Sequence, residues 1–324
     1  MNQSTQNYDT ASLAGKHHKA RFGLVIQGPR FTIGNGPNNY VGDGFDSLDT
    51  VKENIGRFGP RVKNIVLSTW SDSGFCRNLL GDNITLIESI KPVGFDYLNQ
   101  QKQFISIFAG VNFLASNSDC THVIKIRTDQ SVPLEFIDWI EKVFDGDKNN
   151  PNLIVCSDLI SNLPFYAGDF VFVGGIHKIL GFVKSVLRSD RQRVALNNSM
   201  DYTLKRLIDI DDEIANLFTS GNPLVNQCKL AYRSDEIMYA WSRAINCYVT
   251  PLPKKIFWRI VWRGRPMSQV FDENNNNFIF YEDCRVNGRH PANAPSNAFT
   301  AEMSAELIGE IWRYLKEYLK YSVR

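Results

Sequence analysis

Apolar residues fall into two kinds of segment along this chain: short continuous runs, and longer stretches with helical spacing. The runs include Phe22-Gly-Leu-Val-Ile26, Asn64-Ile-Val-Leu-Ser-Thr-Trp70, Asn83-Ile-Thr-Leu-Ile-Glu88 and the front of His122–Ser131. Further runs are Asn152-Leu-Ile-Val-Cys156, Asp169-Phe-Val-Phe-Val173 and Asn246–Leu252. Each ends on Gly, Pro or a polar cluster, which marks buried strands with exit loops. Between them lie helical patterns. Residues 45–58 carry Leu48, Val51 and Ile55 on one face and stop at Gly59-Pro60. Residues 96–116 align Phe104, Ile107, Phe108, Val111 and Leu114. After Pro133 come Phe136, Ile137, Ile140, Val143 and Phe144, and Ile176–Leu187 is helical too. Ser234–Ile245 reads as a helix capped by Ser234 or Asp235. The stretch Arg188–Gly221 is more polar and yields only pieces of helix.

Strands alternating with helices predict an α/β fold, a mostly parallel twisted sheet flanked by helices. A polar tail is expected over residues 1–20 and one α/β domain over residues 21–295. A C-terminal amphipathic helix over residues 296–324 should pack on the domain by a stripe from Met303 to Leu319.

A length of 324 residues with 43% hydrophobic content supports a sizeable core. A net charge of +2 does not point to nucleic acid as a partner. No apolar run reaches membrane-spanning length, and the polar first twenty residues read as a loose tail without a signal-peptide core. Six scattered cysteines without Cys-x-x-Cys spacing suggest reduced thiols in a cytoplasmic protein and no zinc site. Neither a Gly-x-Gly-x-x-Gly fingerprint, nor a P-loop, nor a Gly-x-Ser-x-Gly elbow is present.

What remains is polar chemistry at strand exits. Gln27, Trp70, Asp129 and Asp169 each sit at or beside an end of an apolar run, on the rim where α/β sites form. Arg127-Thr128-Asp129 follows the most buried-looking run. A guanidinium and a carboxylate there can hold a metal ion and phosphates. The plain alternative is a turn cap beside a solvated cation.

Five pieces occur together: Val25-Ile-Gln-Gly-Pro29, Ile65–Trp70, Asn99-x-x-Lys102-Gln103, Ile124-Lys-Ile-Arg-Thr-Asp129 and Gly168-Asp169-Phe170. In this combination and order, over roughly residues 22–290, the chain resembles the WavE family of lipopolysaccharide core synthesis, itself similar to GT-A glycosyltransferases. One departure is Lys102, where the pattern has Arg; Lys keeps the charge and loses the bidentate fork. The resemblance implies a sugar transferred from a nucleotide-sugar donor to a hydroxyl of a lipopolysaccharide or capsular polysaccharide acceptor, free or lipid-linked. It implies donor contacts from Gln27, Gly28, Pro29, Trp70 and Asn99, and from Lys102, Gln103, Lys125, Arg127 and Asp169. It puts Asp129 in the place of the metal-holding motif, with Mg²⁺ or Mn²⁺ as the ion. Alternatively, Arg127 and Lys125 supply the charge without a metal. The resemblance further implies Glu236 or Asp235 as the base for the acceptor proton, with Glu236 favoured for its reach; the plain alternative is an ordinary acidic first turn of a helix. Two rivals are an inactive sugar-nucleotide or glycan-binding module of this fold and a nucleotidyltransferase.

Lys254–Arg265 mixes cations with Trp258 and Trp262. Such a mixture suits a peripheral contact with the cytoplasmic face of the inner membrane, or equally a loop that covers the core with arginine stems.

Overall fold

The computed structural model describes residues 20–32, 44–93, 100–146, 152–160, 163–187, 194–196, 198–271 and 278–286, with the single positions 309, 312 and 316. The expected tail and nearly all of the expected C-terminal helix lie outside the described residues. Positions 309, 312 and 316 are helical.

Seven strands form the central sheet: β1 (Phe22–Gln27), β2 (Asn64–Trp70), β3 (Thr85–Ser89), β4 (His122–Arg127), β5 (Ile154–Cys156), β6 (Phe172–Gly175) and β7 (Val249–Pro251). Their spatial order is β7-β5-β6-β4-β1-β2-β3. All run parallel except β6, which lies antiparallel between β4 and β5. Mixed α/β architecture with a mostly parallel sheet is therefore the fold.

Continuous apolar runs arise because both sheet faces are buried. On one face Leu24, Ile26, Leu67, Ile124 and Ile126 pack against α1 (Leu48–Phe58) and α3 (Glu135–Gly146). On the other, Val25, Val66 and Val123 meet α2 (Gln100–Asn117), and α4 (Ile176–Leu187) joins the same core. Helices α5 (Asn198–Ile208), α6 (Asp212–Leu217), α7 (Pro223–Tyr232) and α8 (Asp235–Cys247) extend this second layer.

The run Asp169–Val173 is corrected by the structure. The strand is Phe172–Gly175, and Gly174-Gly175 lie inside it, paired with Val123 and His122. Asp169 and Phe170 belong to the preceding loop, whose backbone is held by Lys125. Helix α7 went unread in the sequence, although Asn222 caps it and Pro223 opens it.

After β1 the chain builds β2 and β3 to one side and then returns to lay β4 on the other side of β1. Strand order reverses between β1 and β4, which opens a crevice at their carboxyl ends. A small antiparallel sheet closes its rim: Gln130–Ser131 pairs with Val261–Trp262, which pairs with Arg265–Pro266.

Candidate functional site

The register sets the first residues of the site. Gln27 ends β1 opposite Arg127 of β4 and Ser68 of β2, so Gln27 and Arg127 leave the sheet side by side. Beyond Gln27 the chain turns at Gly28, whose φ of 137° disfavours any side chain. A Cβ there would stand 2.6 Å from Thr128 Oγ1. Thr128 uses that closeness: its hydroxyl donates to the Pro29 carbonyl at 2.8 Å, and its N–H donates to the Gln27 carbonyl at 3.0 Å. The exits of β1 and β4 are thereby clamped together.

Asp129 lies at the centre of the cleft wall, 1% exposed. Arg127 grips its carboxylate with two bonds, Nε to Oδ1 at 3.0 Å and Nη2 to Oδ2 at 3.2 Å. Oδ2 also accepts from Trp262 Nε1 at 3.1 Å and from Arg263 Nε at 2.9 Å. The Arg263 backbone N–H donates to the Asp129 carbonyl at 2.9 Å. Burial alone would raise the Asp129 carboxyl; Arg127 and Arg263 outweigh it and hold the group down at about 2. Burial works against the Arg127 charge, and Asp129 and Asp169 more than restore it, so its pKa is raised. Arg127 also lies over the rings of Phe170 and Trp262, at 5.6 and 5.9 Å from their centroids.

These groups form one wall of a cleft of about 460 Å³. Its floor is Gln27, Gly28 and Pro29, and Trp70 and Phe31 add aromatic surface. Lys102 and Gln103 line it from the first turn of α2, and Lys91 from beyond β3. Reciprocal bonds fix the start of α2 to the end of β2: Ser68 Oγ donates to the Ser106 carbonyl at 2.6 Å, and Ser106 Oγ to the Ser68 carbonyl at 2.8 Å. The amino end of an eighteen-residue helix, with its positive dipole, thus borders the cleft. Among the described lining residues are four cations, Lys91, Lys102, Arg127 and Arg263, and one carboxylate, Asp129; Lys91 also pairs with Asp72 outside the lining at 3.4 Å. Such a cleft attracts multiply charged anions.

Lys125 and Asp169, expected at the donor, are placed differently. Neither is among the residues lining the cleft. Lys125 is 1% exposed and donates through Nζ to the Asp169 carbonyl at 2.6 Å. Burial lowers its pKa to about 8, against the pull of Asp169. Its position follows from strand alternation, since it sits on β4 between Val123 and Arg127 with Phe172 beside it. Lys125 therefore holds the 169 loop from behind the cleft. Asp158 lies in the same layer, its Oδ1 accepting from Ser157 Oγ at 2.6 Å. Burial pushes the Asp158 carboxyl up to about 7; the Ser157 bond lowers it and the Asp169 charge raises it further.

Asp235 and Glu236 occupy the exposed first turn of α8, where Ser234 Oγ caps the Ile237 N–H. They do not line the cleft. Asn99 lies outside the described residues.

The membrane reading of Lys254–Arg265 gains no support from its aromatic residues. Trp258 is 9% exposed and packs against Phe257, Phe278 and Phe280. Trp262 and Arg263 face inward to Asp129. The buried ring of Trp258 is not available to a bilayer surface. No helix of the described residues is long and apolar enough to cross a membrane.

A divalent cation fits this donor set poorly. A hard ion needs several oxygen ligands. Among the described residues no group of three or more His, Cys, Asp or Glu side chains gathers to hold one. Asp129 Oδ2 already accepts three donors, two of them guanidinium.

Sequence reasoning missed Arg263 as a site residue. Arg263 and Gly264 have φ of 50° and 78° and form the two-residue turn between Trp262 and its partner Arg265. Positive φ at both positions is the preferred hairpin geometry, and Arg-Gly between short strands was the available signal.

No known family model matches the chain, and no curated protein is similar to it. Among solved structures, it is similar to 4-diphosphocytidyl-2C-methyl-D-erythritol synthase from Anaerococcus prevotii, with 13% identity over 60% of this chain and 86% of that one and a TM-score of 0.38. The Francisella tularensis 2-C-methyl-D-erythritol 4-phosphate cytidylyltransferase gives 13% identity, 51% and 77% coverage and a TM-score of 0.31. Mannose-1-phosphate geranyltransferase from Thermus thermophilus gives 13% identity, 57% and 67% coverage and a TM-score of 0.33.

Proposed function

We propose that the chain is a GT-A-like glycosyltransferase that takes the nucleoside diphosphate of a sugar nucleotide in this cleft and moves the sugar to an acceptor hydroxyl. The observation that carries the reading is the cleft itself, lined among the described residues by four cations and one bound carboxylate at the point where strand order reverses. Glycosyl transfer breaks the bond between the anomeric carbon and the diphosphate oxygen, and the electron pair leaves with the diphosphate. Arg127 and Arg263, both in the lining, would neutralise that growing charge. Trp70 offers a flat apolar surface to the base or sugar. The attacking hydroxyl loses its proton to a base; Glu236, with Asp235 as alternative, stands on α8 outside the lining of the cleft, so it serves only an acceptor that reaches from α8 to the donor. The acceptor class is a lipopolysaccharide or capsular polysaccharide precursor, handled in the cytoplasm.

A thermal-shift screen of nucleotides and nucleotide sugars tests the reading. A ligand at a hundred times its Kd stabilises by about 2.7 kcal/mol, a readable shift. Stabilisation by one family of nucleoside diphosphates and their sugar esters supports the proposal. No response to any of them removes it.

The same cation-rich cleft also suits a nucleoside triphosphate, which makes nucleotidyl transfer the second reading. Release of pyrophosphate in place of a nucleoside diphosphate identifies that reaction.

A further inference from the structure

We infer that this cleft binds the diphosphate group without a divalent cation, on a pair of guanidiniums, Arg127 and Arg263, that Asp129 holds in position. The inference rests on the donor reading proposed above and deepens it.

Three independent observations carry it. The first is the occupancy of Asp129. Its Oδ2 accepts from Arg127, Trp262 and Arg263, and its Oδ1 from Arg127. A metal ion at roughly 2.1 Å from Oδ2 would have to displace one of three donors, two of them charged, and Oδ1, which accepts a single bond, belongs to a side chain whose 2% exposure leaves an ion no approach. Asp129 therefore acts as a positioning residue for its neighbours.

The second is the spare donor capacity. A guanidinium carries five N–H groups, all donors. Arg127 uses two of them on Asp129 and Arg263 one. Their side chains keep 21% and 16% exposure, and both residues line the cleft. Both can serve phosphate oxygens while Asp129 keeps their planes fixed.

The third is the backbone at Arg263. An arginine at φ 50° occupies a left-handed position that L side chains rarely adopt. The hairpin accepts this conformation and thereby brings a cation from 134 residues away in sequence onto Asp129. Strain of that kind is maintained where surrounding contacts fix it, here a backbone and a side-chain bond to the same aspartate. Lys91, paired with Asp72 at 3.4 Å, and Lys102 add charge further along the cleft, and among the described lining residues the cations outnumber the one carboxylate, which disfavours a divalent ion and attracts a phosphate pair.

The test is calorimetric titration of the full chain with UDP, GDP, CDP and ADP in parallel. Each titration is run in EDTA and again with excess Mg²⁺ or Mn²⁺. At least one nucleotide should bind in EDTA with a Kd within about threefold of the metal-containing value, a difference under about 0.7 kcal/mol. Arg263→Gln should weaken that binding by about tenfold or more, and Arg263→Lys by less, since it keeps the charge and loses the fork. Circular dichroism melts of both variants establish that they fold. Binding that is lost in EDTA and returns with metal overturns the clamp and leaves the donor reading standing. Unchanged affinity in a folded Arg263→Gln also overturns the clamp alone. An absence of binding by every nucleotide, with or without metal, overturns both.

Discussion

Replacing Asp129 with Asn keeps the shape of the group at the centre of the cleft wall and removes its charge. The carboxyl is nearly inaccessible and sits at about 2 in the folded chain, against about 3.9 in an unfolded one. A displacement of that size carries on the order of 3 kcal/mol of stability. Because the folded value is the lower one, this stability is fully present above a pH of about 4 and is lost as pH falls through about 2. Asparagine gives it up at neutral pH. Its amide nitrogen also meets Arg127, Arg263 and Trp262, which are all donors here, and leaves some without an acceptor. That adds about 1–3 kcal/mol, so the total loss should be about 4–6 kcal/mol. Urea denaturation at neutral pH and through the acid range measures both parts. Wild type should lose stability steeply below a pH of about 4, and Asp129→Asn should lack this component. A variant within about 0.5 kcal/mol of wild type at neutral pH, with the same acid limb, would refute the arginine-bound carboxylate.

Gly28→Ala should cost about 1–3 kcal/mol, because it combines an unfavourable φ with a clash at Thr128 Oγ1; it should also raise the Kd for nucleotide, read by titration. Asp158 is held up at about 7, so the folded chain keeps that proton more tightly than the unfolded one. The stability this supplies is full below a pH of about 4 and declines as pH rises through about 7. Asp158→Asn should flatten that decline in denaturation midpoints measured across the range, and an unchanged slope would count against it. Glu236→Gln should reduce turnover by about 10²–10⁴-fold with little change in donor affinity. Full activity there together with an inactive Asp235→Asn would exchange the two roles, and activity in both would place the base elsewhere.

The sheet and the heart of the cleft were legible because they follow from local rules. Apolar runs marked all seven strands, and Gln27, Trp70, Arg127 and Asp129 stood at their ends, where parallel strands aim at a ligand. The direction of β6 was not legible, since a short apolar run pairs equally well either way. Lys125 was misassigned for a readable reason: it shares a strand face with Val123, and a cation in the middle of a buried run is covered by its neighbours. Trp258 and Trp262 were ambiguous because Lys254–Arg265 has no sustained period, so composition could not tell an inward ring from an outward one. Arg263 was hidden by distance. Its partner is 134 residues earlier, and only the pairing of Trp262 with Gln130 brings the two together.

The most direct measurement is phosphorus NMR of the chain incubated with single nucleotide sugars and a glycan acceptor. A nucleoside diphosphate should accumulate from one donor, slowly with water alone and faster with acceptor. Arg127→Gln should abolish it. Pyrophosphate formed from a nucleoside triphosphate and a sugar phosphate, or intact donors throughout, would contradict the assignment of this cleft to glycosyl transfer.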